Sequence, residues 1–191
     1  MKNVLVFIAD GSEEIEALSP IDYLRRAGLS VSVVAVGTAS RTVTMAHKVS
    51  VNADITLESY LSSAADSLPD AVVVPGGMPG AANIAASKSA VALLEACCKG
   101  GKLVCAICAA PALVLSKTSA LEGRSWTCYP GMEGNAAAFA AGHREGVQFV
   151  HDGNVITGRG PGAAEEFSME IVKTLCGQEA FDTVRERALL R

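Results

Sequence analysis

The chain has 191 residues, half of them hydrophobic, and a formal net charge of −4 at pH 7. That much apolar side chain can bury a sizeable core, and residues 1–191 are expected to form one compact domain. No basic stripe suggests a nucleic-acid partner, and the first apolar run, residues 4–9, ends at Asp10, too short for a signal-peptide core or a membrane span. The expectation is a soluble, cytoplasmic protein bound to neither nucleic acid nor membrane.

Strand-like and helix-like segments alternate along the chain. Residues 4–9 read as a first strand. Residues 12–27 read as a helix broken at Ser19-Pro20, because proline lacks the N–H that an inner turn needs; Gly28 closes it. Residues 29–36 are a second strand. Residues 42–45 and 49–55 alternate apolar with polar and suggest an edge hairpin. The apolar strand 71–74 is stopped by Pro75, Gly76 and Gly77. A helix at 89–98 precedes a strand at 103–107 and a helix at 109–116. Residues 147–150 and 154–157, split by Asp152-Gly153, form a hairpin, and helices at 163–176 and 179–190 cover the sheet. This order predicts an α/β fold with a mostly parallel sheet. In such a sheet the turns leaving the strand ends share one edge, where ligands bind. Residues 10–16, 75–80 and 108–111 are therefore expected to converge on one crevice.

Cys108 stands where the strand 103–107 gives way to a helix with Pro111 in its first turn. The free N–H groups and dipole of that helix are expected to favour thiolate and to make Cys108 the most reactive thiol; a buried cysteine packed as a small hydrophobe is the plainer alternative. The turn PGGMPG at 75–80 brings backbone close to any ligand, so the N–H groups of Gly76, Gly77 and Ala109 are oxyanion-hole candidates, or the turn has no ligand at all. Arg159, within GRGPG at 158–162, either holds an anion or packs against a chain terminus. In the acidic run Glu13, Glu14 and Glu16, two residues are expected only to favour a helix start. Ile15, Leu18, Ile21 and Leu24 mark the expected buried stripe. Glu14 and Glu16 each lie about 100° from Ile15, so periodicity leaves both as candidates for the crevice. A carboxyl beside a thiolate would have a raised pKa. None of His47, His143 and His151 adjoins Cys108 in sequence.

The six cysteines are expected to be free. Cys105 and Cys108, on one strand, are separated by roughly 10 Å, beyond disulfide reach. No second Cys or His pair stands at zinc spacing, so neither a metal nor a cofactor is expected.

Four stretches, ADGSEEIE at 9–16, VVVPGG at 72–77, AICAAP at 106–111 and GRGPG at 158–162, carry a resemblance to the ThiJ/PfpI superfamily, in particular to the branch of the Parkinsonism-associated deglycase. The resemblance implies a flavodoxin-like sandwich with helices on both faces of the sheet, a homodimer and an oxidisable cysteine. It assigns that cysteine to Cys108, its acid to Glu16 and the oxyanion amides to Gly77 and Ala109. It further implies a cofactor-free enzyme of the glyoxalase or deglycase type, turning methylglyoxal into lactate or releasing early glycation adducts from protein groups. The alternative it allows is a redox sensor or stress chaperone with Cys108 oxidised to a sulfinate. Ala109 stands where protease-like relatives carry histidine, which argues against a peptidase. Tyr129 replaces a usual histidine, His47 an arginine and Ala110 a glycine.

Overall fold

The computed structural model describes residues 1–63 and 67–190. The strands are β1 (Asn3–Ile8), β2 (Ser30–Ala35), β3 (Thr42–Thr44), β4 (Ser50–Asn52), β5 (Ile55–Thr56), β6 (Ala71–Val74), β7 (Leu103–Ile107), β8 (Phe149–Asp152) and β9 (Val155–Gly158). Among them run helices α1 (Glu14–Arg26), α2 (Leu57–Ser63), α3 (Gly80–Ala86), α4 (Lys88–Lys99), α5 (Ala110–Leu113), α6 (Ala164–Cys176) and α7 (Gln178–Arg187). A seven-stranded sheet has the order β5-β2-β1-β6-β7-β9-β8 and is parallel except for β8. β3 and β4 pair separately as an antiparallel hairpin. The central strands are apolar because both their faces are covered: every residue of β6 and β7 is buried. α1, α6 and α7 form one helical layer, and α2 to α5 pack together as the other. This is the expected flavodoxin-like α/β architecture.

The sheet places the site. From β1 the chain goes outward to β2, then returns across β1 to β6, so the strand order reverses between β1 and β6. At such a switch point the turns leaving the strands diverge and open a crevice. The carboxyl ends of β1, β6, β7 and β9 stand side by side there, leading to residues 9–16, 75–80, 108–111 and 158–162.

Four expectations need correction. The first helix is not broken at Ser19-Pro20. It runs from Glu14 to Arg26 with Pro20 buried inside it, so the lost N–H weakens one turn without ending the helix. Its buried stripe is Ala17, Pro20, Ile21 and Leu24, whereas Ile15 and Leu18 are 53% and 39% exposed. The segment 49–55 divides: its first part joins the hairpin, and Ile55 crosses to the sheet as the start of β5. The helix after Cys108 is only α5, which tightens into a 3-10 turn at Leu115–Lys117, where Ser116 Oγ bonds back to the Ala112 carbonyl at 2.5 Å.

Candidate active site

Cys108 has φ +65°, a left-handed conformation that costs a non-glycine residue about 1–2 kcal/mol. Its neighbours impose it. Cys108 N–H donates to the Gly158 carbonyl at 2.9 Å, and the Cys108 carbonyl accepts from Tyr129 N–H at 2.8 Å. Such strain, held in place from both sides, is characteristic of functional positions. The turn after β6 closes on the cysteine. A Cβ on Gly76 would lie 2.7 Å from the Cys108 Cβ, 2.9 Å from Ala109 N and 2.9 Å from Glu16 Oε2. Glycine is the only residue that fits there. A Cβ on Gly77, at φ +81°, would strike the Glu13 backbone N and lie 2.5 Å from the Gly11 carbonyl oxygen.

The three acids of the first turn have three different partners. Glu13 caps α1, its Oε2 accepting from Glu16 N–H at 2.8 Å. Glu14 turns outward to His47, accepting from its backbone N–H at 2.6 Å and meeting Nδ1 at 2.7 Å. Burial pushes the Glu14 carboxyl up, but the His47 hydrogen bonds outweigh it and hold the pKa below its ordinary value. Glu16 is fully buried, and its Oε2 accepts from Gly76 N–H at 2.8 Å. The structure thus places Glu16, and not Glu14, beside Cys108. Glu16 Oε1 is buried without a conventional hydrogen-bond partner.

Electrostatics contradict the expected thiolate. Burial, the Glu16 charge and the hydrogen bond to Glu16 push the Cys108 thiol up to about 12, against the weaker pull of the Gly77 and Ala109 N–H groups. A helix of one turn cannot reverse this. Burial likewise raises Glu16 to about 7, opposed by its bonds to Cys108 and Gly76 and reinforced by Glu13. Two groups this close share a proton and titrate as a unit. High thiol pKa values do not single out Cys108. Burial also lifts Cys97 to about 11 and Cys128 to about 12, and holds Cys105 well above its ordinary value. What distinguishes Cys108 is a buried acid and two backbone N–H groups acting on its thiol.

The other sequence candidates fall into two groups. Cys108, Glu16, Gly76, Gly77 and Ala109 come together, with Gly76 N–H committed to Glu16 and the N–H groups of Gly77 and Ala109 drawing the Cys108 pKa down. Tyr129 and Arg159 instead wall an adjoining cavity of about 350 Å³ with Pro130, Gln148 and Gly160. The two regions are linked through the backbone bond from Tyr129 to Cys108. Among the described residues no side chain pairs with the Arg159 guanidinium. His151, on the β8–β9 hairpin, bonds Glu170 of α6 and takes no part.

A parallel α/β sheet that presents a strained cysteine from a strand end to a buried carboxyl at its switch point defines a class of cysteine-elbow proteins. The DJ-1/PfpI family model matches residues 2–174, and the chain belongs to that family. The chain is 40% identical over its whole length to Protein DJ-1 homolog A of Arabidopsis thaliana, but spans only 47% of that relative. It is 30% identical to the glutathione-independent glyoxalase DJR-1.2 of Caenorhabditis elegans, covering 93% of this chain and 91% of the relative. Among solved structures, oxidized Toxoplasma gondii DJ-1 superposes with a TM-score of 0.90 at 34% identity, covering 99% of this chain and 98% of that one.

Proposed function

We propose that the protein is a cofactor-free enzyme that converts small reactive carbonyls such as methylglyoxal into hydroxy acids. The observation that carries this reading is Glu16, a buried carboxyl with a pKa near 7 against the Cys108 thiol. The glyoxalase name of the nematode relative supports the substrate class. Ionised Glu16 takes the thiol proton as sulfur attacks the aldehyde carbon, and the hemithioacetal oxygen forms near the N–H groups of Gly77 and Ala109. Glu16 returns that proton to the hemithioacetal oxygen. Ionised again, it takes the proton of the former aldehyde carbon and delivers it to the neighbouring carbon through an enediolate. The neighbouring carbonyl becomes the hydroxyl and the former aldehyde carbon a thioester. Water hydrolyses the thioester to lactate and frees the thiol, with no net oxidant or reductant. Arg159 and Tyr129, which wall the next cavity, would meet the carboxylate or the neighbouring carbonyl. The same steps on early adducts of protein amines or thiols would make the protein a deglycase.

A second reading, a redox sensor or stress chaperone, rests on the unpartnered Glu16 Oε1. A protonated Glu16 could donate there to a Cys108 sulfinate. Incubation with methylglyoxal distinguishes the two. The enzyme reading expects lactate from the wild-type chain and none above background from Cys108→Ser. Absence of lactate, with a sulfinate at Cys108 after mild peroxide, would favour the sensor.

A further inference from the structure

The structure assigns a transition-metal site, distinct from the elbow, to Cys128, Glu133 and His143. Their ligand atoms, one sulfur, one carboxylate oxygen and one imidazole nitrogen, all lie within 4.8 Å of one another. Cys128 Sγ and His143 Nε2 are 3.9 Å apart. Zinc bond lengths of about 2.3 Å to sulfur and 2.0–2.1 Å to nitrogen put tetrahedral S and N ligands roughly 3.5 Å apart. A cation therefore needs the two to close by only a few tenths of an ångström. A second observation points the same way. Glu133 Oε2 is buried and has no hydrogen-bond partner, which costs free energy unless something fills its coordination.

The surroundings hold the ligands in place. Trp126 is fully buried. Its N–H donates to the Gly142 carbonyl at 3.0 Å, and its carbonyl accepts from Arg144 N–H at 2.8 Å. Residues 126–128 and 142–144 are thereby strapped side by side. The Trp126 ring also rests against the His143 ring, with centroids 4.9 Å apart. Glu133 opens the 3-10 stretch Glu133–Gly142 that joins the two ends. Glu133 and His143 are partly exposed while Cys128 is buried, which leaves an entry path on the carboxylate and imidazole side.

Thiolate, imidazole and carboxylate together suit a borderline-soft divalent ion of the zinc type rather than Mg²⁺ or Ca²⁺. Three protein ligands leave the fourth position to water. The thiol hydrogen now directed to the Tyr129 carbonyl at 3.4 Å leaves to solvent as the metal binds. The bound ion would tie Cys128 to His143, beside the cavity that Tyr129 walls. No sequence signature announces the site, since its ligands stand five and ten positions apart.

The test is titration of the full chain with Zn²⁺ by calorimetry and with Co²⁺ by absorption, which reports a thiolate–cobalt charge-transfer band. The wild-type chain and Cys108→Ser should both bind one ion and show the band. Cys128→Ser should lose the band. Glu133→Gln and His143→Gln should weaken Zn²⁺ binding by at least about tenfold, the lower bound for losing an outer-shell partner alone. Circular dichroism in metal-free buffer checks that each variant is folded. Should Cys128→Ser fail to fold, the partly exposed Glu133 and His143 variants decide the matter. Absence of the band in the wild-type chain, its survival in Cys128→Ser, its loss in Cys108→Ser, or unchanged affinity in both Glu133→Gln and His143→Gln would overturn the assignment.

Discussion

Cys108 reaches Glu16 only because two adjacent glycines let three chain segments meet. Gly76 lacks the Cβ that would strike Cys108, Ala109 and Glu16 together. Gly76→Ala should therefore lower stability by about 1–3 kcal/mol, a fall of roughly 3–10 °C in melting temperature for a chain of this size. Gly134→Ala, whose Cβ would meet nothing within 4 Å, should change stability by less than about 0.5 kcal/mol. Equal melting temperatures for the two variants would contradict the packing described. The cysteine position was legible in the sequence, because a fully apolar strand followed by proline fixes where the chain must turn. Periodicity did not choose between Glu14 and Glu16, since both flank Ile15 symmetrically; the family resemblance pointed to Glu16, and the placement of His47 and Gly76 separates the two physically. The charge of the thiol was misread for a related reason: burial, which dominates it, is set by segments distant in sequence.

At the scale of elements, the hairpin of β3 and β4 is fastened to the start of α1. Gly11 N–H donates to the Thr44 carbonyl at 2.8 Å and Ala46 N–H to the Ser12 carbonyl at 2.9 Å, while His47 meets Glu14. The hydrogen bond and charge of Glu14 raise the His47 pKa above its ordinary value. A raised histidine pKa gives stabilisation that is complete below about 6.5 and is lost as pH climbs through the folded-state value. Amide-exchange protection of residues 42–52, corrected for intrinsic rates, should thus fall a few-fold from about pH 6 to about pH 9. The fall should vanish in His47→Gln. Protection independent of pH in the wild-type chain would show that the pair does not hold the hairpin. Most elements were legible from periodicity and their stop signals, Gly28 among them. α3 was hidden because Gly76, Gly77 and Gly80 read as loop, although the alanine-rich run behind them favours helix. α1 passes through Pro20 because its buried face, fixed by packing on α6, outweighs one lost hydrogen bond.

At the scale of the molecule, the sheet order brings the ends of four strands to one edge, which the alternation of strand and helix already implied. Helix α1 departs from that reading in a useful way. Ile15, 53% exposed, Leu18 at 39% and Val49 at 46% are large apolar side chains at the joint of α1 and the hairpin. Exposed apolar side chains of this kind suit association, and we propose that they lie in a homodimer interface. Light scattering at micromolar concentration should give twice the 19.6 kDa chain mass. The double variant Ile15→Lys, Leu18→Lys should be monomeric with an unchanged circular dichroism spectrum. A monomeric wild-type chain, or a variant that still dimerises, would contradict this.

The central claim is that Glu16 and Cys108 act as one proton-sharing unit, and the pH profile of lactate formation from methylglyoxal tests it most directly. Ionised Glu16 must accept the thiol proton, so the rate should rise with pH and level off above about 7, where Glu16 titrates. In Glu16→Gln that inflection should disappear and the rate fall by about 10²–10⁴-fold, the usual worth of general acid–base catalysis. A Glu16→Gln variant that keeps both the wild-type rate and the inflection near neutral pH would contradict the account.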